Sequence, residues 1–175
     1  QDEHTWIDAM RDDWPKRIWD AMRRSGRSVD RFVSVSAYYR DLMAARMEIE
    51  PERIAVNHPG IDAEKYVPPD TPPVPPTIGF LSRMSEGLGL GILAEAFWRL
   101  KREPRFRDVR LRATGGMMGG DQEFVDSLRA TIAAEGLAED FEIVGDIGAE
   151  SRREFLRSLS FLSVPAVDGE AFGLF

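Results

Sequence analysis

The chain has 175 residues, 43% of them apolar, which is enough for one domain with a sizeable core and part of another. It carries 30 acidic and 23 basic residues, and this net charge of −7 argues against a nucleic-acid partner, which normally binds a basic face. The absence of cysteine excludes disulfides, thiolate zinc sites and cysteine nucleophiles, and fits a reducing compartment.

The first part of the chain contains one β-α-β pattern after a charged, tryptophan-rich start. Pro15 suits the first turn of a helix. Apolar runs in 30–35 and 53–57 predict two strands, and Ser36 is a suitable N-cap for the helix between them. This unit favours a parallel sheet, and we expect it to expose apolar surface because further sheet partners are missing.

A proline-rich segment then separates two regions of the chain. Six of the nine residues in 68–76 are proline, which fixes φ and lacks a backbone donor, so this segment is expected to be a semi-rigid, extended spacer. We therefore place a first domain in 1–58, a linker in 59–76 and a second domain in 77–175. A ligand for a proline-binding module is the alternative interpretation of the spacer.

After the spacer, strand and helix patterns alternate regularly. Asp121, after a loop with four glycines, is expected to cap its helix. The alternation predicts a doubly wound α/β fold with four parallel strands. The predicted strands are 77–82, 109–114, 141–144 and 161–164, and the predicted helices are 90–102, one that begins at 121, and 149–159.

The first strand of this set leads into a glycine-containing loop and a helix. Gly87, Gly89 and Gly91 leave backbone N–H groups at the helix N-terminus, where the helix dipole favours an anion. Arg83 offers a fork for a phosphate at the carboxyl end of the strand, where open parallel sheets bind ligands. A plain βα turn, with glycines for packing, is the alternative because such loops are weak motifs.

The last residues form a second candidate site after the fourth strand. Glu170 stands beside a glycine turn, where its carboxylate is able to accept hydrogen bonds from sugar hydroxyls while the following N–H groups face a phosphate. A polar loop before a core helix explains the same residues equally well. No Asp-x-Asp occurs in the chain, which argues against a metal-diphosphate site of that kind.

Four stretches together resemble retaining glycosyltransferases of family 4, in the order and spacing of that family. The resemblance implies the α/β GT-B fold, with two Rossmann-like domains that contain parallel sheets and face a cleft. It also implies that this chain is a fragment, truncated at both ends, which joins the end of the first domain to the front half of the donor-binding domain. The matching stretches are 35–49 with 53–62, 78–97, 111–121 and 161–175.

The resemblance assigns a donor site to the glycine loop. Arg83 matches the arginine that holds the donor diphosphate, and Gly87, Leu88 and Gly89 lie in the same binding loop. Leu88 stands where the family usually has a lysine, and Gly87 stands where a glutamate is common. A leucine cannot neutralise the leaving diphosphate, so Arg83 and the backbone would carry that load.

The resemblance assigns the catalytic carboxylate to Glu170, the first glutamate of the family's E-x7-E pattern. Phe172, Gly173 and Leu174 match the donor-binding turn that follows it. The second glutamate and the acceptor loop of the family have no counterpart in this chain. We therefore expect the fragment itself to be inactive.

These matches imply a glycosyltransferase of the hexosyltransferase type. It would transfer a sugar from a nucleotide-diphosphate sugar to an unknown sugar, lipid or small-molecule acceptor, with retention and with neither a metal nor another cofactor. A cytoplasmic location, with room for peripheral association at the inner face of a membrane, goes with this expectation. Leu88 suggests one alternative, a non-catalytic sugar-nucleotide-binding or scaffold domain, and a GT-B-fold nucleotide-sugar epimerase is another.

Overall fold

The computed structural model describes residues 3–145, 148–167 and 170–173. Its contacts divide the chain into two compact units. The first unit comprises Gln1–Ile61 together with Gly169–Leu174, and the second comprises Asp62–Asp168 and Phe175. The change of unit after Ile61 falls inside the segment that the sequence assigns to the linker.

The first unit is a small β-α-β arrangement preceded by two helices. Its two strands pair in parallel, with Phe32 opposite Ile54. The predicted N-cap is confirmed, since the Ser36 hydroxyl accepts a hydrogen bond from the backbone N–H of Tyr39 at 3.0 Å. The elements are α1 (Glu3–Asp8), α2 (Trp14–Gly26), β1 (Phe32–Ser34), α3 (Ala37–Met47) and β2 (Ile54–Val56).

Apolar surface is exposed on this unit, as the sequence predicts. Val33, in the middle of β1, is 71% exposed, although a valine in a strand normally packs against a neighbour. A groove of about 330 Å³ runs beside β1 and is lined by methionines from both long helices, among them Met22 and Met43. The two-stranded sheet therefore leaves one apolar face uncovered within the described residues.

The second unit is a four-stranded sheet with helices on both faces. The strand order is β5-β4-β3-β6 and every pairing is parallel, which confirms the predicted fold class. None of its described helices, nor those of the first unit, is long and apolar enough to cross a membrane. The elements are β3 (Thr77–Leu81), α4 (Leu90–Lys101), β4 (Arg110–Thr114), α5 (Asp121–Ala134), β5 (Phe141–Val144), α6 (Ala149–Arg157) and β6 (Phe161–Leu162).

The strand β3 is buried along its whole length because helices cover both of its faces. Phe80 belongs to the main core with residues of α4 and α5. Leu81 points to the opposite face, where it packs against α6. Gly79 lies on that second face, and a Cβ atom there would stand 2.0 Å from Cδ1 of Leu159. The glycine therefore leaves the space that the Leu159 side chain occupies against the sheet.

The strand β6 is shorter than the predicted strand 161–164. Its ladder with β3 pairs Ile78 with Phe161 and Gly79 with Leu162. The N–H of Ser163 still donates to the carbonyl of Gly79 at 2.9 Å, and regular pairing ends there. The chain then turns toward the loop after β3, so competing contacts with that loop shorten the strand.

Replacing a core residue of the second unit tests this architecture. Leu111, in β4, is fully buried, and we expect Leu111→Ala to lower the free energy of unfolding by about 2 to 5 kcal/mol. Ile92 on α4 is 52% exposed, so Ile92→Ala is the matched control and should cost less than about 1 kcal/mol. Urea denaturation followed by circular dichroism measures both, and equal losses would contradict the assigned core.

Candidate functional site

Three segments meet at the carboxyl ends of the second unit's parallel strands. They are the loop after β3 (82–89), the loop after β4 (115–120) and the chain after β6 (163–167). The N–H of Met84 donates to the carbonyl of Gly116 at 3.0 Å, and the N–H of Val167 donates to the carbonyl of Gly87 at 3.0 Å. The loop after β3 is thus held from both sides, as expected where neighbouring parallel strands end at one sheet edge.

Two glycines permit this close approach. Gly115 has a φ of +147°, and a Cβ atom there would lie 1.8 Å from the carbonyl oxygen of Ser82. Gly89 has a φ of +84°, and its Cβ would lie 1.9 Å from the carbonyl oxygen of Pro165. Both positions combine a backbone conformation that favours glycine with a backbone neighbour that cannot move aside cheaply. Packing is therefore one role of Gly89, as in the alternative interpretation of the loop.

The helix α4 begins at this junction without a side-chain cap. Its N-cap residue is Gly89, and no side chain of the described residues caps its first turn. The N–H groups of Leu90, Gly91 and Ile92 have no backbone carbonyl partner among the described residues. Such a first turn carries the positive end of the helix dipole and is suited to receiving an anion.

Leu88 is half-buried and packs against the main core of the unit. It follows Gly87, which is also half-buried, in a short 3-10 turn that spans Glu86–Leu88. The position where the resembled family places a lysine thus holds an apolar side chain with packing partners. A cation is absent there by sequence, and the leucine contributes to the core instead.

The most polar feature of the junction is an ion pair between two of its loops. Arg83 Nε donates to Oδ2 of Asp121 at 2.6 Å, and its Nη2 donates to Oδ1 at 3.1 Å. The Asp121 side chain is 10% exposed, whereas the Arg83 side chain is 48% exposed. Its Nη1 has no hydrogen-bond partner among the described residues, so one edge of the guanidinium remains available.

The pairing shifts both pKa values in the stabilising direction. The hydrogen bonds from Arg83 lower the pKa of Asp121 below its ordinary 3.8, and the same bonds raise the pKa of Arg83. A carboxyl whose pKa falls on folding stabilises the fold above its ordinary pKa, and that contribution is lost as the pH falls through the lowered value. The pair is therefore intact across the neutral range.

The predicted capping role of Asp121 is wrong. The N-cap position of α5 is occupied by Gly120, and Asp121 is the first helical residue. Its carboxylate accepts hydrogen bonds from Arg83 and from the backbone N–H of Met118, the latter at 2.8 Å. Met118 precedes the helix. Sequence reasoning missed the Arg83 partner because 38 residues separate the two charges, although both follow neighbouring strands of one parallel sheet.

The turn that contains Glu170 is grouped by its contacts with the first unit. Glu170 is half-buried, and the next residue, Ala171, is only 1% exposed. The Ser36 hydroxyl donates to the carbonyl of Ala171 at 2.6 Å, and the ring of Phe172 stands 5.6 Å from the ring of His58. A φ of +77° at Gly173 explains the glycine that ends this described segment.

His58 is held at the edge of this turn. Its Nδ1 lies 2.9 Å from the carbonyl oxygen of Val35. A carbonyl only accepts, so Nδ1 carries the proton and Nε2 is left as an acceptor in the neutral ring. These contacts give His58 a structural role in holding the turn, and the sequence alone did not indicate its position beside Phe172.

The structure thus gathers the predicted residues into two groups. Arg83, Gly87, Leu88 and Gly89 lie in one loop of the second unit. The catalytic candidate Glu170 lies with Phe172 and Gly173 in a turn grouped with the first unit, and Leu174 lies outside the described residues. The roles assigned to these residues remain predictions.

Comparison with protein families gives one match. A family model described as Glycosyltransferase Family 4 matches residues 3–65, which is less than half of the chain. A search of curated proteins finds no match to this sequence.

Solved structures share the fold over nearly the whole chain. The protein HepE of Anabaena, in complex with UDP and glucose, superposes with a TM-score of 0.75 at 18% identity, covering 93% of this chain and 44% of its own. A glycosyltransferase from Rickettsia africae gives 0.74 at 19%, covering 89% and 44%. Sucrose-phosphate synthase from Thermosynechococcus elongatus gives 0.72 at 17%, covering 95% and 41%.

These similarities confirm the predicted fold, with its parallel sheets of the GT-B type. Identities below 20% show the fold alone, and the chain spans less than half of the length of each of these three proteins. What the neighbours bind or catalyse is therefore only a guide to a proposal about this protein.

Two adjacent glycines test the junction. We expect Gly115→Ala to lower the free energy of unfolding by roughly 1 to 3 kcal/mol, because a Cβ there meets the Ser82 carbonyl and the φ is unfavourable. Gly116 has open space around its Cβ position, so Gly116→Ala should stay within about 0.5 kcal/mol of the parent. Equal denaturation midpoints for the two variants would show that the loops do not approach as described.

Proposed function

We propose that the protein is a glycosyltransferase that moves a sugar from a nucleotide-diphosphate donor to an acceptor, with retention of configuration and without a metal. The observation that carries the proposal is that one loop after β3 holds the half-exposed guanidinium of Arg83 and leads directly into the first turn of α4, which has no side-chain cap among the described residues. Both groups sit at the carboxyl end of a parallel sheet, where such folds bind their ligands. The family match to residues 3–65 supports the reaction class.

The diphosphate is the part of the donor that this junction would recognise. A guanidinium forms paired, charge-assisted hydrogen bonds with phosphate oxygens, and a helix N-terminus adds backbone donors and a positive partial charge. Arg83 keeps its Nη1 for such a ligand. Together these groups would bind the leaving diphosphate without a divalent cation, which is the basis of the proposed metal independence.

The sugar would be oriented by Glu170. A carboxylate accepts bonds from sugar hydroxyls, and the turn that follows Glu170 is fixed by the Ser36–Ala171 hydrogen bond and the His58–Phe172 contact. Fixing the turn lowers the entropic cost of ordering the carboxylate when substrate binds. We assign Glu170 a direct contact with the transferred sugar on this ground.

The structural neighbours supply the choice of donor to test first. HepE has been determined with UDP and with UDP-glucose, and its fold matches 91% to 93% of this chain. A uridine nucleotide and a hexose are therefore the first probes, and adenosine and guanosine diphosphates follow. The acceptor would be a sugar, a lipid or a small molecule. The proposed location is the cytoplasm, with room for peripheral association at the inner face of a membrane.

A non-catalytic nucleotide-sugar-binding role is the second candidate, and Leu88 favours it. The side chain at this position packs in the core and brings no charge to the leaving group. A protein that lacks this charge would bind the donor without stabilising the leaving diphosphate, and so would not transfer the sugar. Product analysis separates the candidates, because transfer yields a glycoside, an epimerase yields a changed nucleotide sugar, and a binding protein yields neither.

The decisive variant is Arg83→Ala in the intact protein, titrated calorimetrically with UDP and assayed for products from UDP-glucose. Losing a charge-assisted contact of about 1.5 to 3 kcal/mol should weaken UDP binding roughly tenfold to hundredfold. Arg99→Ala, on the exposed face of α4, is the control and should change nothing. Unaltered UDP affinity in Arg83→Ala would place the diphosphate elsewhere, and loss of transfer on addition of EDTA would refute metal independence.

Leu88→Lys tests whether this loop is a weakened donor site. A lysine amine that leaves the core on its flexible stem should raise UDP affinity roughly threefold to tenfold, while the lost packing lowers the melting temperature. Leu88→Met keeps the volume and adds no charge, so it should leave the affinity unchanged. A gain no larger than that of Leu88→Met would mean that position 88 does not face the diphosphate.

A further inference from the structure

Asp121 carries a buried carboxylate, and its hydrogen-bond partners among the described residues all lie in the loops of the junction. It is the first residue of α5 and is 8% exposed. Its Oδ2 accepts from Arg83 Nε and from the Met118 N–H, and its Oδ1 accepts from Arg83 Nη2. Burying a carboxylate is costly unless it is paired and hydrogen-bonded, and here both conditions are met.

The neighbouring pair on the same helix differs in each of these respects. Asp126 lies 3.6 Å from Arg129, and its side chain is 59% exposed. Exposed pairs at this spacing contribute little and leave both side chains free to sample other rotamers. The burial of Asp121 and its two hydrogen bonds with Arg83 therefore indicate a fixed contact. The exposed Asp126–Arg129 pair on the same helix lacks both features.

The geometry of the contact selects which part of Arg83 is left for a ligand. Asp121 takes Nε and one N–H of Nη2, which is the side edge of the guanidinium. The N–H groups of Nη1 and the second N–H of Nη2 remain, and they form the other edge of the same planar group. The carboxylate thus fixes the plane of the guanidinium while leaving a second edge able to bind phosphate oxygens.

Two opposite effects on ligand binding follow from this contact. The negative charge of Asp121 offsets the charge of Arg83, which would weaken an anionic ligand. The fixed rotamer spares the ligand the entropy of ordering a long side chain, which would strengthen it. The charge effect is reduced because the Arg83 side chain is 48% exposed and solvent screens its charge, whereas the ordering of the side chain does not depend on screening.

We propose that Asp121 is a positioning residue for the donor diphosphate, which holds the Arg83 guanidinium with one edge presented to the phosphate oxygens. This inference rests on the proposed function, because it assumes that Arg83 binds the diphosphate. It goes further in naming a residue outside the loop after β3 on which diphosphate affinity depends. A nucleoside monophosphate, with fewer oxygens to bind, should depend on Asp121 less.

The test compares Asp121→Asn with Asp126→Asn, which makes the same charge change on the same helix. UDP and UMP are titrated calorimetrically into the intact protein, and circular dichroism checks the fold of each variant. Ordering one rotamer-rich side chain corresponds to a change in affinity of about 3- to 10-fold. We expect Asp121→Asn to weaken UDP by that factor and UMP by less, and Asp126→Asn to leave both within about twofold.

Two further variants separate positioning from general structure. Asp121→Glu keeps a carboxylate within reach of Arg83 and should recover most of the UDP affinity. In an Arg83→Ala background, Asp121→Asn should have no additional effect on UDP, since the residue acts through the arginine. If Asp121→Asn melts below the assay temperature, Asp121→Ser replaces it, because a serine hydroxyl still accepts from the Met118 N–H.

The outcomes distinguish this inference from the function beneath it. Binding of UDP by Asp121→Asn that equals or exceeds that of the parent overturns the positioning role and makes Asp121 a competitor for Arg83. An equal loss for UDP and UMP, or a loss that persists without Arg83, overturns it in favour of a structural role. A parent protein that binds none of UDP, ADP and GDP overturns the proposed function, and this inference with it.

Discussion

The close backbone approach at the carboxyl ends of β3 and β4 is the constraint on which the candidate site depends. Gly115 lies so near the Ser82 carbonyl that no side chain fits between them. The Met84–Gly116 hydrogen bond closes the same gap. Only because the two loops touch is a carboxylate at the start of α5 within bonding distance of an arginine at the end of β3. Gly115 thus brings Arg83 and Asp121 together indirectly, by letting the backbones of their two loops lie close to each other.

The electrostatics of the junction follow from this arrangement. Arg83 and Asp121 together carry no net charge, and Leu88 adds none. An anion bound at this junction would therefore be held by directed donors, namely the available edge of the Arg83 guanidinium and the first-turn N–H groups of α4, because the loop has no excess positive charge. Such donors discriminate by geometry more than by long-range attraction. The protein's net charge of −7 points the same way.

The sequence predicted the periodic features of the fold. Alternating strands and helices after the proline-rich segment identified the parallel sheet, because each element carries its own period of apolar residues. The same reasoning found the loop of Arg83, since a strand followed by glycines and a helix has few other structures. It assigned Asp121 to a cap, because capping is a local pattern while the contact with Arg83 depends on which strands lie side by side.

The ends of the elements were harder to predict for a related reason. Strand β6 stops at Leu162 although its apolar pattern continues. Ser163 makes the last hydrogen bond to Gly79, and the chain then leaves the sheet, so that the N–H of Val167 bonds to Gly87 in the loop after β3. Burial of Leu88 was equally out of reach, since an apolar residue in a glycine loop is compatible with either a ligand contact or a core contact. Both outcomes were decided by contacts between segments far apart in sequence.

The turn of Glu170 is held by a different kind of interaction from the loop of Arg83. Ser36 uses its lone pair to cap α3 and its single hydroxyl proton to bind Ala171, so one side chain satisfies both. His58 donates a hydrogen bond from Nδ1 to the carbonyl of Val35, and its ring lies near the ring of Phe172. Both contacts fix the backbone that directly follows Glu170. A turn that is already ordered by such contacts would lower the entropic cost of placing the Glu170 carboxylate against a sugar hydroxyl, which is the role proposed for it.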